Sequence, residues 1–150
     1  MNKLYFSVTI LFVLLLSSGC NKNYAINPND IDNIKLELVN ISKLPQGTSY
    51  AIKLKNGSKH IIKQNVVYLS YPIKQPNGQT GNKFKIEANG NKLDIKPNEV
   101  ITLNVFAPIQ EYENNNNLII ENPNVEIKGF IDEVKAENQF NKGGGVQLTK

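Results

Sequence analysis

Cys20 is the sole cysteine of the 150-residue chain, and a lone thiol has neither a disulfide partner nor a second sulfur ligand for zinc. It follows Ser17, Ser18 and Gly19 behind a continuous apolar run, so a nucleophilic sulfur stands at the end of what reads as an export signal. His60 is likewise the only histidine. A Ser- or Cys-based triad would have to use it as base, yet no Gly-x-Ser-x-Gly elbow or comparable nucleophile context is present. Asn56, Gly57, Ser58 and Lys59 before it read as a loop, which makes His60 a solvated surface residue rather than a catalytic one. Asp30 with Asp32, and Glu111 with Glu113, are near pairs that lack the spacing of a calcium loop and read as solvated loop acids. Lys142, Gly143, Gly144 and Gly145 have the composition of a phosphate loop. They lead into the alternation Val146, Leu148, however, which predicts a strand and not the helix whose amides would face an anion. The sequence therefore points to no cofactor, no metal and no catalytic residue.

Binding requires less. Val66 and Tyr68 lie on the opposite parity from Val67, Leu69, Tyr71 and Ile73, so one strand carries apolar side chains on both faces, and Tyr68 is a candidate aromatic anchor for a partner. Tyr112 is a second candidate, because it sits in the polar run EYENNNN where a ring has no evident core role. Seventeen basic residues against thirteen acids give a formal charge of +4, and every one of the basic residues is lysine. Without the planar fork of arginine the chain is poorly equipped to read base edges, so a nucleic-acid partner is not expected.

Lys3, an apolar run from about Val8 to Leu16, and the small residues before Cys20 make up the three parts of an export signal. The run is shorter than the roughly 20 residues a membrane-spanning helix needs. The segment resembles the signal of bacterial lipoproteins, whose lipobox ends in a small residue, Gly or Ala, and Cys; here it reads Ser17, Ser18, Gly19, Cys20. The resemblance implies that diacylglycerol is joined to the Cys20 sulfur and that cleavage follows Gly19. Two acyl chains, palmitate or similar, hold a protein on a membrane where one chain binds only marginally. The expected organisation is a signal peptide over residues 1–19, a lipidated tether over 20–33 and one domain over 34–150. The tether expectation rests on the Asn- and Asp-rich run with Pro28.

The domain alternates with period two. Ile34, Leu36 and Leu38, then Tyr50, Ile52 and Leu54, then Val67 and Leu69, then Ile101, Leu103 and Val105, then Val125, Ile127, Gly129 and Ile131 each share one face of a strand, and Val146 with Leu148 suggest a closing one. KFKIEANGNKLDIK predicts a hairpin about Asn89 and Gly90 that pairs Ile86 with Leu93 and Phe84 with Ile95. No stretch sustains a helical period. The expectation is an all-β antiparallel sandwich of seven or eight strands. The strand series, with IKPNE turning into VITLNVFAP, resembles the immunoglobulin-like domains of bacterial envelope lipoproteins. The implied function is a lipid-anchored cell-envelope protein with a non-enzymatic interaction or accessory role. The alternative is a protease-inhibitor or small-ligand-binding lipoprotein. Its partners would be the membrane, through Cys20, and a protein or cell-wall component on the exported side. The Asn, Lys and Ile bias suggests an AT-rich, Gram-positive source.

Overall fold

The computed structural model describes residues 26–145, and within them strands dominate. A five-residue helix, α1 (Pro28–Asp32), is followed by β1 (Ile34–Leu44), β2 (Gly47–Asn56), β3 (Ile62–Ser70), β4 (Ile73–Gln75) and β5 (Gly78–Thr80). Then come β6 (Ile86–Glu87), β7 (Asp94–Ile95), β8 (Val100–Pro108), β9 (Asn124–Ile131) and β10 (Gln139–Gly145), with 3-10 turns at Ile109–Glu111 and Ala136–Asn138. One antiparallel sheet has the order β1-β2-β8. A second has the order β10-β9-β3-β6, with β7 also on β3, and β4 pairs with β5 in a separate two-stranded sheet. The first three strands, the fourth long strand β8 and the last two thus distribute as in an immunoglobulin-type sandwich, in which consecutive strands change sheet between the second and the third.

Alternation builds the core. Tyr50, Ile52 and Leu54 of β2, Leu103, Val105 and Ala107 of β8, Val67 and Leu69 of β3, and Val125 and Ile127 of β9 are all buried between the sheets. Each buried Leu, Ile or Val among them contributes about 1.5–3 kcal/mol. Two bulges keep the parity usable: the register shifts between Leu38 and Asn40 on β1 and between Lys63 and Val66 on β3, where Gln64 has φ 47°. The second shift lets Ile62 and Val67 both point inward although they differ in parity.

The strand count exceeds the expected seven or eight because β4 to β7 are only two or three residues long. The Asn89–Gly90 hairpin does not form. Residues 86–95 instead run antiparallel along β3, from Leu69 opposite Ile86 to Ile62 opposite Ile95. In the middle of this run Ala88 N donates to Val67 O at 2.8 Å, while the next residue, Asn89, exchanges backbone bonds with Asn104 of β8. The chain therefore steps across to the other sheet and back, with Gly90 at φ +95°. Ile95 and Ala88 are buried by this route, whereas Leu93 and Phe84, paired with apolar partners in the hairpin reading, are exposed. A two-stranded ribbon buries too little to compete with pairing onto an existing sheet.

Two further expectations change. Part of the expected tether is folded: Asn27 caps α1, accepting at Oδ1 from Asn29 N at 3.0 Å, and Ile26 and Ile31 pack on the core. Gly143–Gly145 do not precede a closing strand but belong to one, Gly143 pairing with Glu126 and Gly145 with Asn124. Val146 and Leu148 lie outside the described residues.

Candidate functional site

The sandwich has two unlike poles. At the first, where α1 joins β1, the organising residue is Asn56, whose side chain has no solvent exposure. Its amide donates to the carbonyls of His60 at 2.8 Å, Ile95 at 3.0 Å and Lys96 at 3.1 Å. Its Oδ1 accepts from Ser58 N at 3.1 Å and Ser58 Oγ at 2.7 Å. The β2–β3 loop is thereby folded inward and His60 is presented at its edge.

His60 is not the solvated residue its sequence context suggests. Nδ1 lies 2.6 Å from Asp132 Oδ2, and Nε2 lies 3.4 Å from Asp30 Oδ2. Asp132 is itself held, with φ 59°, its Oδ1 accepting from Ile61 N at 2.9 Å and its N donating to Ile61 O at 2.8 Å. Asp30, expected to be a solvated loop acid, thus ties α1 to the sandwich through His60. On the other flank Lys142 Nζ donates to Ile31 O and Asp32 O, both at 3.0 Å, and so caps the C-terminal turn of α1 with a cation. Both ring nitrogens of His60 face carboxylates, and the neighbouring Ser58 hydroxyl is buried on Asn56. This arrangement fastens a segment, and among the described residues the ring nitrogens of His60 pair with Asp132 and Asp30 and with no hydroxyl or thiol. Among the described residues, no group of three or more His, Cys, Asp or Glu is arranged to hold a metal ion. No helix among them is long and apolar enough to cross a membrane.

Of the residues singled out by sequence, Cys20 lies outside the described residues. Tyr68 lies on the outer face of the β3 sheet, half-buried, between Glu126 of β9 and Glu87 of β6 in register. Lys128 Nζ stands 5.9 Å from its ring centroid, within cation–π range. Lys85 and Lys128 both pair with Glu126. Partial burial pushes the Glu126 carboxyl up, but the two ammonium groups together outweigh it and hold the acid below the ordinary carboxylate range. Tyr68 is therefore an aromatic patch bordered by a compensated charge cluster.

Tyr112 has the core role that its polar sequence context conceals. Its hydroxyl is 2.9 Å from Thr48 Oγ1, and its ring meets Tyr71 edge-on at 5.4 Å. The Tyr71 hydroxyl in turn bonds that of Tyr50 at 2.7 Å. Burial pushes both of these buried phenols up, keeping them neutral. Tyr112 is thus the outermost ring of a tyrosine stack that plugs the second pole.

Above that stack the long β8–β9 loop is stitched to the segment after β3. Ile119 N donates to Pro72 O at 2.8 Å, Lys74 N to Asn117 O at 2.7 Å, and Lys74 Nζ to Asn116 O at 3.0 Å. The result is an open cleft of about 470 Å³ with Lys74, Glu113, Asn115, Asn116 and Glu121 on its walls. Leu118 and Ile120 supply a small apolar floor beside Tyr112. Neither this cleft nor the clamp around His60 was foreseeable from spacing, since each joins residues far apart in the chain. The run of four asparagines after Glu113 was the one local sign of a polar loop.

No protein-family model and no curated protein matches the chain. Among solved structures, the fold is similar to part of a β-glucosidase from Kluyveromyces marxianus, with 15% identity and a TM-score of 0.34. The match covers 76% of this chain but only 14% of that enzyme. A second likeness is to the archaellum periplasmic stator protein FlaG from Sulfolobus acidocaldarius, with 11% identity, a TM-score of 0.36, and coverage of 75% of this chain and 98% of that one. Likenesses this distant carry no functional argument.

Proposed function

We propose that the chain is a bacterial cell-envelope lipoprotein, anchored through acylated Cys20, whose sandwich is a non-enzymatic interaction module. The observation that carries the reading is the polarity of the domain. The segment leading from Cys20 is bolted to one pole by His60 and Lys142, while the long loops and the polar cleft occupy the opposite pole. Residues 21–25 can span at most about 20 Å between the anchor and Ile26. The first pole then lies close to the membrane and the second is offered outward. The engagement of both His60 nitrogens by aspartates supports a module without hydrolytic chemistry. A ligand-binding role within this reading is favoured over protease inhibition by the cleft, whose loop is stitched down at several backbone bonds rather than held out as an extended segment.

Fractionation tests the anchor. Wild-type protein is expected in membranes with a mass increment for diacylglycerol, and Cys20→Ser is expected as an unprocessed or soluble form. A mature-sized, membrane-bound Cys20→Ser protein would overturn the proposal. So would turnover of ester, peptide or glycan substrates that disappears in His60→Ala.

A further inference from the structure

We infer that the cleft between Lys74 and the β8–β9 loop binds a neutral, hydroxyl-rich glycan; this rests on the interaction-module reading and names its ligand class. The argument begins with which polar groups are engaged. Elsewhere on the domain acids are widely matched by cations, as Glu37 is by Lys53, Asp94 by Lys63, Glu99 by Lys92 and Glu133 by Lys135. In the cleft the pattern reverses. Among the described residues, the side chains of Glu113, Asn116 and Glu121 have no hydrogen-bond or ion-pair partner, while the one lysine on the wall is already bonded to a backbone carbonyl.

Free carboxylates and a free amide beside an aromatic ring set the ligand chemistry. Carboxylates accept hydrogen bonds and an amide both accepts and donates, which complements hydroxyl groups that do both. An anionic polymer would meet two carboxylates against the single Lys74 ammonium and is disfavoured by charge. An apolar ligand would bury those carboxylates without partners, at a cost of several kcal/mol. An extended peptide is usually captured on a free strand edge. Here the loop backbone is already engaged, Ile119 N with Pro72, Asn117 O with Lys74, and Leu118 N with Asn115 O at 3.0 Å. A sugar needs no backbone edge: its hydroxyls meet the walls and its C–H face meets the apolar floor and the Tyr112 ring. The cleft volume falls within the ~300–1,000 Å³ of ordinary ligand sites. The stitching also means that the loop loses little freedom on binding, which favours a weakly binding class of ligand.

The test uses full-length protein in detergent micelles, titrated calorimetrically with neutral tetrasaccharides (N-acetylglucosamine, cellulose-type and starch-type oligomers), with dextran sulfate and with an unstructured peptide. Saturable binding of at least one neutral oligosaccharide is expected, weakened tenfold or more by Glu113→Gln with Glu121→Gln and by Asn116→Ala. The melting temperature of each variant, read in parallel, separates loss of the site from loss of the fold. Absence of binding by all the neutral oligosaccharides, equal binding by folded variants, or binding of dextran sulfate or the peptide in their place would overturn the inference. None of these outcomes depends on Cys20, so the anchoring proposal stands or falls separately by fractionation.

Discussion

The two poles of the sandwich use similar side chains to opposite ends. At the α1 pole Asn56, Ser58, His60, Asp132 and Lys142 are all engaged with one another or with backbone, and the buried Asn56 alone joins the β2–β3 loop to the segment after β7. At the cleft pole the backbone is stitched with equal care, yet among the described residues the side chains of Glu113, Asn116 and Glu121 are left without hydrogen-bond or ion-pair partners. Polar groups satisfied internally hold a fold together. Polar groups left over on a rigid loop are available to something else.

The largest expected effect lies at the closed pole. Asn56→Ala removes a fully buried amide and leaves three carbonyls and the Ser58 hydroxyl without that partner, and should destabilise by about 3 kcal/mol in a denaturant titration. Asn116→Ala, the same substitution at the open pole, should cost less than about 0.5 kcal/mol. Equal losses would dissolve the contrast between the poles.

A second effect concerns the strip that joins the two sheets. Gly90→Val puts a β-branched side chain at φ +95°, with its Cβ 3.4 Å from Thr102 O, and should cost about 2 kcal/mol. Leu93→Asn should leave the melting temperature nearly unchanged, because Leu93 is 77% exposed. In a hairpin Leu93 would cover Ile86, so a large effect of Leu93→Asn would restore that register.

What was legible in the sequence follows from what alternation can report. Period two marked Tyr50, Ile52 and Leu54 and their counterparts on β8 and β9 as core, because one buried face imposes that pattern whatever the neighbouring strand is. Alternation says nothing about pairing partners, and the stretch from Phe84 to Ile95 shows the consequence. Its parity satisfied a hairpin, yet β3 offered both arms a better partner. The candidate sites were less legible still. Tyr68 was placed on an outer face correctly by parity, but Tyr112 was misjudged because its partners, Thr48 and Tyr71, are distant in sequence. The His60 clamp draws on three separate segments, none of which carries a local signature.

A smaller effect tests whether the open pole is soft beneath its loops. Tyr71→Phe removes one hydroxyl from the Tyr50 pair and should cost about 1 kcal/mol at neutral pH. The folded-state value of Tyr71 is raised, so its contribution is complete below the ordinary phenol value near 10 and is lost as the pH rises beyond it. Wild-type stability should therefore fall more steeply than that of Tyr71→Phe above about pH 10. Parallel curves would mean that the tyrosine stack is open to water.

The smallest effect is local, and it bears on how the domain is held. Lys142→Met keeps the length of the side chain but removes the cation from the carbonyls of Ile31 and Asp32. A five-residue helix has little stability of its own, since nucleation costs more than so few bonds return. Its order must come from Asn27, from the Ile26 and Ile31 contacts, and from the two clamps. Global stability should change by about 0.5 kcal/mol, near the limit of a melting experiment. Amide exchange resolves it: Asn33, whose N–H donates to Asn29 O at 3.2 Å, should exchange several-fold faster in Lys142→Met, while Ile52 and Leu103 in the core strands keep their protection. Faster exchange in all three places would mean that Lys142 supports the whole sheet. No change at Asn33 would mean that Asp30 and His60 hold the segment alone, and His60→Ala in the same background would then have to release it.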